Sequence, residues 1–208
     1  MNVVGLCGSP KPGDSASLRL LQVTKELLGS DVQFHEVVIN DTVITTEHIN
    51  KCLKADVLLV SIPLYFDGIP SHFLKSMKKM EIALKNQAQK PTLYAIVNNG
   101  FIEGKQSVNA LDMFRLFTHQ SNINWGTGLG IGAGNMLMQM QQIPLGKGIR
   151  KNLGRALNDF VTDIKQLRTS PNRYVQPNFP RFLYIFLAHR SFIKHAKNNG
   201  LKKKALFQ

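Results

Sequence analysis

Apolar positions along this chain switch between unbroken short runs and helical spacing, and the switching predicts its elements. Val3, Val4 and Leu6 make the compact apolar run of a buried parallel strand, and Gly8, Pro10, Pro12 and Gly13 then forbid regular structure. Across Ala16–Leu28 the leucines at 18, 20 or 21, 27 and 28, with Val23, recur near helical spacing until Gly29, Ser30 and Asp31 stop the pattern. Val32, Phe34, Val37, Val38 and Ile39 form the next extended run, and Glu47–Lys54 reads as a short helix. Asp56–Ile62 is the clearest buried strand, closed by Pro63. Pro70 opens a helix to about Ala88 with Lys75, Lys78, Lys79 and Lys85 on a basic face. Thr92–Val97, Ser107–His119, Trp125–Ala133 and Ile149–Leu167 continue the series as strand, helix, strand and helix. Strict alternation over residues 1–168 predicts an α/β domain, a doubly wound five-stranded parallel sheet with helices on both faces. Residues 169–208 form a separate extension.

The last predicted strand carries Gly126, Gly128, Gly130, Gly132 and Gly134 at a spacing of two, which places all of them on one face. Such a face admits a close neighbour, either a packed helix or a flat ligand, and the spacing does not fit a dinucleotide turn.

Composition changes this picture in one respect, the charge of +13. Residues 1–163 hold 16 Lys and Arg against all 13 Asp and Glu, whereas residues 164–208 hold 10 basic side chains and no acidic one. A nearly neutral body with a basic appendage points to an enzyme-like domain with an electrostatic contact surface rather than to a nucleic-acid binder. Cys7 and Cys52 have neither dithiol nor metal-ligand spacing, and no metal site is expected. No apolar run approaches the roughly 20 residues of a membrane span, and no export signal stands at the start, so the expected location is the cytoplasm.

In an open parallel sheet, ligands bind outside the carboxyl ends of the strands. Three such ends are unusual here. After the first strand, Ser9, Ser15 and Ser17 surround a helix N-terminus, where unpaired N–H groups and the positive end of the helix dipole suit a phosphate; serines also cap ordinary strand-to-helix turns. Lys11 stands where it would screen that phosphate. After the third strand, Tyr65 and Phe66 sit in a loop between Pro63 and Pro70, either as core or as the floor for a flat ring. After the fourth, Asn98, Asn99 and Gly100 form a turn whose N–H groups suit the polar edge of a heterocycle, or merely a turn. Together the three loops describe a site for a phosphorylated planar cofactor, and flavin mononucleotide (FMN) fits best.

These motifs, Gly8-Ser-Pro10 with Ser15 and Ser17, Pro63-Leu-Tyr-Phe-Asp-Gly-Ile-Pro70, and Asn98-Asn-Gly-Phe101, resemble those of the flavodoxin-like NAD(P)H-dependent FMN reductase family over residues 1–168. The resemblance implies that Ser9, Lys11, Ser15, Ser17 and Leu18 hold the FMN phosphate. It places Pro63, Leu64, Tyr65, Phe66 and Asp67 against the ring, and Asn98, Asn99, Gly100 and Phe101 at its polar edge. It further implies strand order 2-1-3-4-5, a homodimer, NADPH or NADH as donor, and a small-molecule electron acceptor such as a flavin, quinone, nitro or azo compound or ferric chelate. The alternative is a flavin-binding electron carrier or redox sensor without nicotinamide activity. No catalytic side chain is assigned, because no nucleophile and base or paired carboxylates stand out; His72, nearest the aromatic loop, is more simply structural. In the extension, Phe179, Phe182, Leu183, Phe186, Leu187, Phe192 and Ile193 interleave with Arg181, Arg190, Lys194 and Lys197 before Lys202-Lys-Lys204. That pattern suits packing on the body, on a second subunit or other protein partner, or peripheral contact with an anionic membrane. Nucleic acid is not expected.

Overall fold

The computed structural model describes residues 1–41 and 43–202, so Lys203 and Lys204 of the terminal basic run lie outside the described residues. Six strands, β1 (Asn2–Cys7), β2 (Gln33–Val38), β3 (Val57–Pro63), β4 (Thr92–Asn98), β5 (Asn124–Ile131) and β6 (Arg173–Val175), form one sheet in the order β2-β1-β3-β4-β5-β6. Every pair is parallel. The helices are α1 (Ala16–Leu28), α2 (Thr46–Leu53), α3 (Ser71–Leu84), α4 (Val108–Gln120), α5 (Gly134–Gln139), α6 (Lys151–Lys165) and α7 (Arg181–Asn198). Helix α1 packs on β1, β3 and α6, while α2, α3 and α4 pack in series on the other face. The expected doubly wound sheet is therefore present, with one strand more than the alternation predicts.

Local chemistry sets the boundaries. Ser15, in extended geometry at φ −141°, caps α1 by accepting the Leu18 N–H at 3.2 Å, and Gly29 at φ 82° closes the same helix on the Lys25 and Glu26 carbonyls. The larger core lies between the sheet and α2, α3 and α4, where Val4, Leu6, Leu58, Val60 and Ile62 meet Phe73, Met77, Leu111 and Phe114. Phe73 and Phe114 meet edge to face at 6.4 Å. On the opposite face Tyr94 meets Phe160 of α6 at 5.9 Å, and its hydroxyl donates to the Asp163 and Arg168 carbonyls.

The glycine stripe does not share one face. Leu93 pairs with Trp125 but Ala95 with Gly128, so β5 carries an extra residue opposite Tyr94. This bulge reverses the alternation: a Cβ on Gly126 would strike the Tyr94 ring, whereas one on Gly128 would strike Leu111 of α4. Gly132 and Gly134 lie beyond the strand, the latter inside α5. Close packing is the reason for the glycines, for two of them against a loop. Cβ atoms on Gly130 and Gly132 would fall 2.6 Å from the Gly104 carbonyl oxygen and 2.0 Å from that of Ile102.

Strand β6 is the other departure. Its three residues pair with Leu129–Ile131, and Arg173 reaches the buried Asp163 of α6 at 2.6 Å. Of residues 169–177, expected to open the extension, Arg173–Val175 thus join the sheet and the stretch falls within the first compact unit. The compact units are Met1–Pro177 and Asn178–Gln208. Periodicity misses β6 because a three-residue strand between Pro171 and Pro177 has no room to show a period. Two further shifts are local: a 3-10 turn at Gly104–Ser107 precedes α4, and another at Gly148–Arg150 precedes α6.

Candidate functional site

Adjacent strand ends bring the three loops together through specific hydrogen bonds. The Gly8 N–H donates to the Ser61 carbonyl at 2.9 Å and the Leu64 N–H to that of Asn98 at 2.8 Å, so the loops after β1, β3 and β4 are laced edge to edge. Gly8 is required there, since a Cβ would fall 2.4 Å from the Phe73 ring.

The first loop wraps the α1 N-terminus. Ser9 is buried and its Oγ accepts the Lys11 N–H at 3.3 Å; Ser15 is buried as the cap, while Lys11 is exposed and Leu18 half-buried in the first turn. Ala16 and Ser17 N–H groups have no carbonyl one turn earlier, which leaves the helix end suited to an anion. Arg19 pairs with Asp14 through Nε and Nη2 and donates from Nη1 to the Met138 carbonyl at 2.7 Å, which fixes α1 against α5. That guanidinium holds the Asp14 carboxyl below its ordinary range.

Ser17 departs from the expected arrangement. It is 1% exposed, its Oγ accepts from Asn98 Nδ2 at 2.8 Å, and its carbonyl accepts the Ser61 hydroxyl at 2.8 Å. Its side chain therefore ties α1 to β4, and its carbonyl ties α1 to β3, rather than the hydroxyl facing the loop mouth. Asn98 is likewise turned inward: Nδ2 also donates to the Ile62 carbonyl at 2.9 Å. Asn99 folds its own turn. Its Oδ1 accepts the Phe101 N–H at 2.9 Å and Nδ2 donates to Ser107 Oγ at 3.1 Å. The two asparagine side chains build the frame, while the space in front of Gly100 is open: a Cβ there would meet nothing within 4 Å.

The aromatic loop is a two-residue hairpin. Tyr65 and Gly68 exchange N–H to carbonyl bonds of 3.1 and 2.9 Å around Phe66 and Asp67, whose φ values of 47° and 59° are both positive. Non-glycine residues adopt this geometry at a cost of order 1 kcal/mol each, least readily when bulky. The turn leaves Phe66 fully exposed and Tyr65 half exposed, and Phe101 on the neighbouring loop is 56% exposed. Pro63 and Leu64 are half-buried beneath them, and Asp67 is exposed. The core alternative for Tyr65 and Phe66 is thereby removed.

His72 lies outside this arrangement, its Nε2 donating to the Ile39 carbonyl at 3.1 Å. Cys7 and Cys52 are buried, and burial pushes both thiols up, Cys52 to about 12. Among the described residues no three His, Cys, Asp or Glu side chains converge as metal ligands. A surface hollow of about 730 Å³ lined by Gln22, Lys25, Glu26 and Phe34 sits near the C-terminal end of α1, away from the three loops. The sequence reading missed α5 and Arg19. Gly132 and Gly134 flank Ala133, which has φ 51°, and this strained turn starts α5 at the same sheet edge. The sequence signal for it was the glycine spacing running past the end of an apolar strand.

No protein-family model matches the chain, and no curated protein matches it in sequence. Solved structures do match. An NADH:FMN oxidoreductase in its apo form superposes with TM-score 0.62 at 15% identity, covering 81% of this chain and 90% of that one. The flavodoxin, WrbA-like protein from Agrobacterium tumefaciens gives 0.54 at 15% identity over 79% and 96%. An NADPH-quinone reductase from P. pentosaceus gives 0.52 at 14% over 82% and 99%. The chain has the flavodoxin-like fold, extended by β6 at one edge.

Proposed function

We propose that the three loops bind FMN and that the protein is an oxidoreductase passing hydride from NADPH or NADH to a small-molecule acceptor. The observation that carries this reading is the lacing of a capped helix N-terminus to two loops bearing exposed aromatic side chains. The donor set fits the group. Ser9 and Ser15 hydroxyls, the first N–H groups of α1 and the Lys11 ammonium suit a dianionic phosphate. Tyr65 and Phe101 offer faces for a planar ring, and the open space at Gly100 admits a ring edge.

Bound flavin would supply the two-electron chemistry. The residues supply position: Ser17 and Asn98 lock the helix end to β4, the Asn99 turn sets the height of Gly100 and Phe101, and Tyr65 shields the ring from water. No side chain at the loops is needed as acid or base. The neighbours named as an NADH:FMN oxidoreductase and an NADPH-quinone reductase support a nicotinamide donor. A homodimer accompanies this proposal, with the projecting Phe66 side chain as a candidate contact.

Titration of FMN into the purified protein should quench flavin fluorescence to a stoichiometric end point. Anaerobic NADPH or NADH should then bleach the bound flavin. Failure to bind overturns the cofactor assignment; binding with bleaching by dithionite alone moves the protein to the electron carriers.

A further inference from the structure

Helix α7 opens the second compact unit, behind Pro180, and runs 18 residues without an acidic side chain. At 100° per residue Phe182, Ile185, Phe186, Phe192 and Ile193 fall within an arc of about 120°. Only Ala196 and His189 share that arc. Lys197, Arg190 and Lys194 follow along one border, with Leu183 between the last two and Leu187 beyond them, and Arg181 stands at the other. Most of the apolar arc is open: Phe182, Phe186 and Phe192 are 75%, 54% and 67% exposed and Ile185 is exposed, while Ile193 is half-buried and Ala196 buried. A strip of three exposed phenylalanines needs an apolar cover.

Charge narrows what provides it. Residues 178–208 carry seven Lys and Arg and no Asp or Glu, and residues 1–177 carry 19 against 13. A second copy therefore offers a positive body and an equally basic helix, so its approach sets like charges together. An anionic surface reverses the sign of that interaction. The helix cannot cross a bilayer, since no helix among the described residues is long and apolar enough. An apolar arc bordered by cations, low overall hydropathy and large aromatic side chains are the features of a helix lying in the plane of a membrane.

We propose that α7 is an in-plane anchor that seats its Phe182, Phe186 and Phe192 face among the acyl chains of an anionic lipid surface, with Arg190, Lys194 and Lys197 at the headgroups. The inference does not depend on the flavin site, because the two lie in separate units and are tested by different readouts.

The test is co-sedimentation of the full chain with vesicles of phosphatidylcholine containing phosphatidylglycerol, and of phosphatidylcholine alone. Binding is expected to the anionic vesicles only, and to be released as NaCl rises from 0.1 to 1 M and the Debye length falls from about 10 to about 3 Å. Lys194→Gln with Lys197→Gln should weaken it about 25-fold, at about fivefold per charge, while Lys194→Arg with Lys197→Arg keeps it. Phe182→Ser with Phe192→Ser should weaken it at least about a hundredfold. All these side chains are exposed, and an unchanged thermal melt verifies that each variant is folded. Equal binding to neutral vesicles, or binding insensitive to the lysine pair, overturns the proposal. So does absence of binding to the anionic vesicles, and a dimer whose mass falls on Phe182→Ser would then give the face to a second copy.

Discussion

Replacing Asn98 by alanine separates a frame residue from a ligand residue. In the structure Nδ2 of this 5% exposed side chain serves two acceptors, Ser17 Oγ at 2.8 Å and the Ile62 carbonyl at 2.9 Å. Asn98→Ala leaves both buried oxygens without that donor and opens space beside Gly134, where a Cβ would lie 3.0 Å from the Asn98 Oδ1 that the substitution removes. Each lost partner costs about 1–3 kcal/mol, so the variant should lose about 2–6 kcal/mol. For a domain of this size that lowers the midpoint by roughly 8–16 °C at the middle of the range. Asn98→Asp should cost more, and increasingly so with rising pH, because only the protonated acid can donate to either oxygen. Urea titration at constant m-value reads the loss directly. An Asn98→Ala protein within about 0.5 kcal/mol of wild type that nonetheless fails to bind FMN would refute the reasoning, since the amide would then be facing the ligand.

Ser15→Asp keeps an α1 cap but sets a negative charge where the phosphate is proposed, and should raise the FMN dissociation constant at least about tenfold further than Ser15→Asn, which caps and loses the hydroxyl without adding charge, by fluorescence titration. Gly132→Ala would put a Cβ 2.0 Å from the Ile102 carbonyl oxygen, and urea unfolding should show a loss of about 1–3 kcal/mol, while Gly100→Ala, with open space before it, should stay within about 0.5 kcal/mol. Burial raises the Cys52 thiol to about 12, so between its ordinary value and pH 12 the unfolded chain releases the proton first and stability falls as pH rises. Melting temperatures from pH 8 to 11 should therefore decline more steeply for wild type than for Cys52→Ala.

What the sequence disclosed follows from the length of its signals. Runs such as Asp56–Ile62 are long and doubly buried, so β3 and its neighbours were legible from apolar content alone. Exposed aromatics between two prolines were legible as a loop, but the turn at Phe66 and Asp67 was not, because positive φ is ordinarily written with Asn or Gly. The inward turn of Ser17 and Asn98 was hidden for another reason. A hydroxyl at a helix N-terminus and an amide at a strand end suit a ligand and a buried frame equally, and only the 2.8 Å distance between them decides. The bulge in β5 carries no composition at all; it is visible only in the register against β4.

Strand β6 has a consequence for the order in which this protein is assembled during synthesis. Until Arg173 has left the ribosome, Asp163 lacks its ion-pair partner and the residues Leu129–Ile131 present an open edge rich in unpaired amides. The first five strands and their helices can collapse vectorially, yet the β5 edge stays unpaired until Val175 arrives. A nascent chain stalled after Arg168 would hold a nearly complete fold with a sticky glycine-rich edge, the form most prone to capture by chaperones or by another nascent copy.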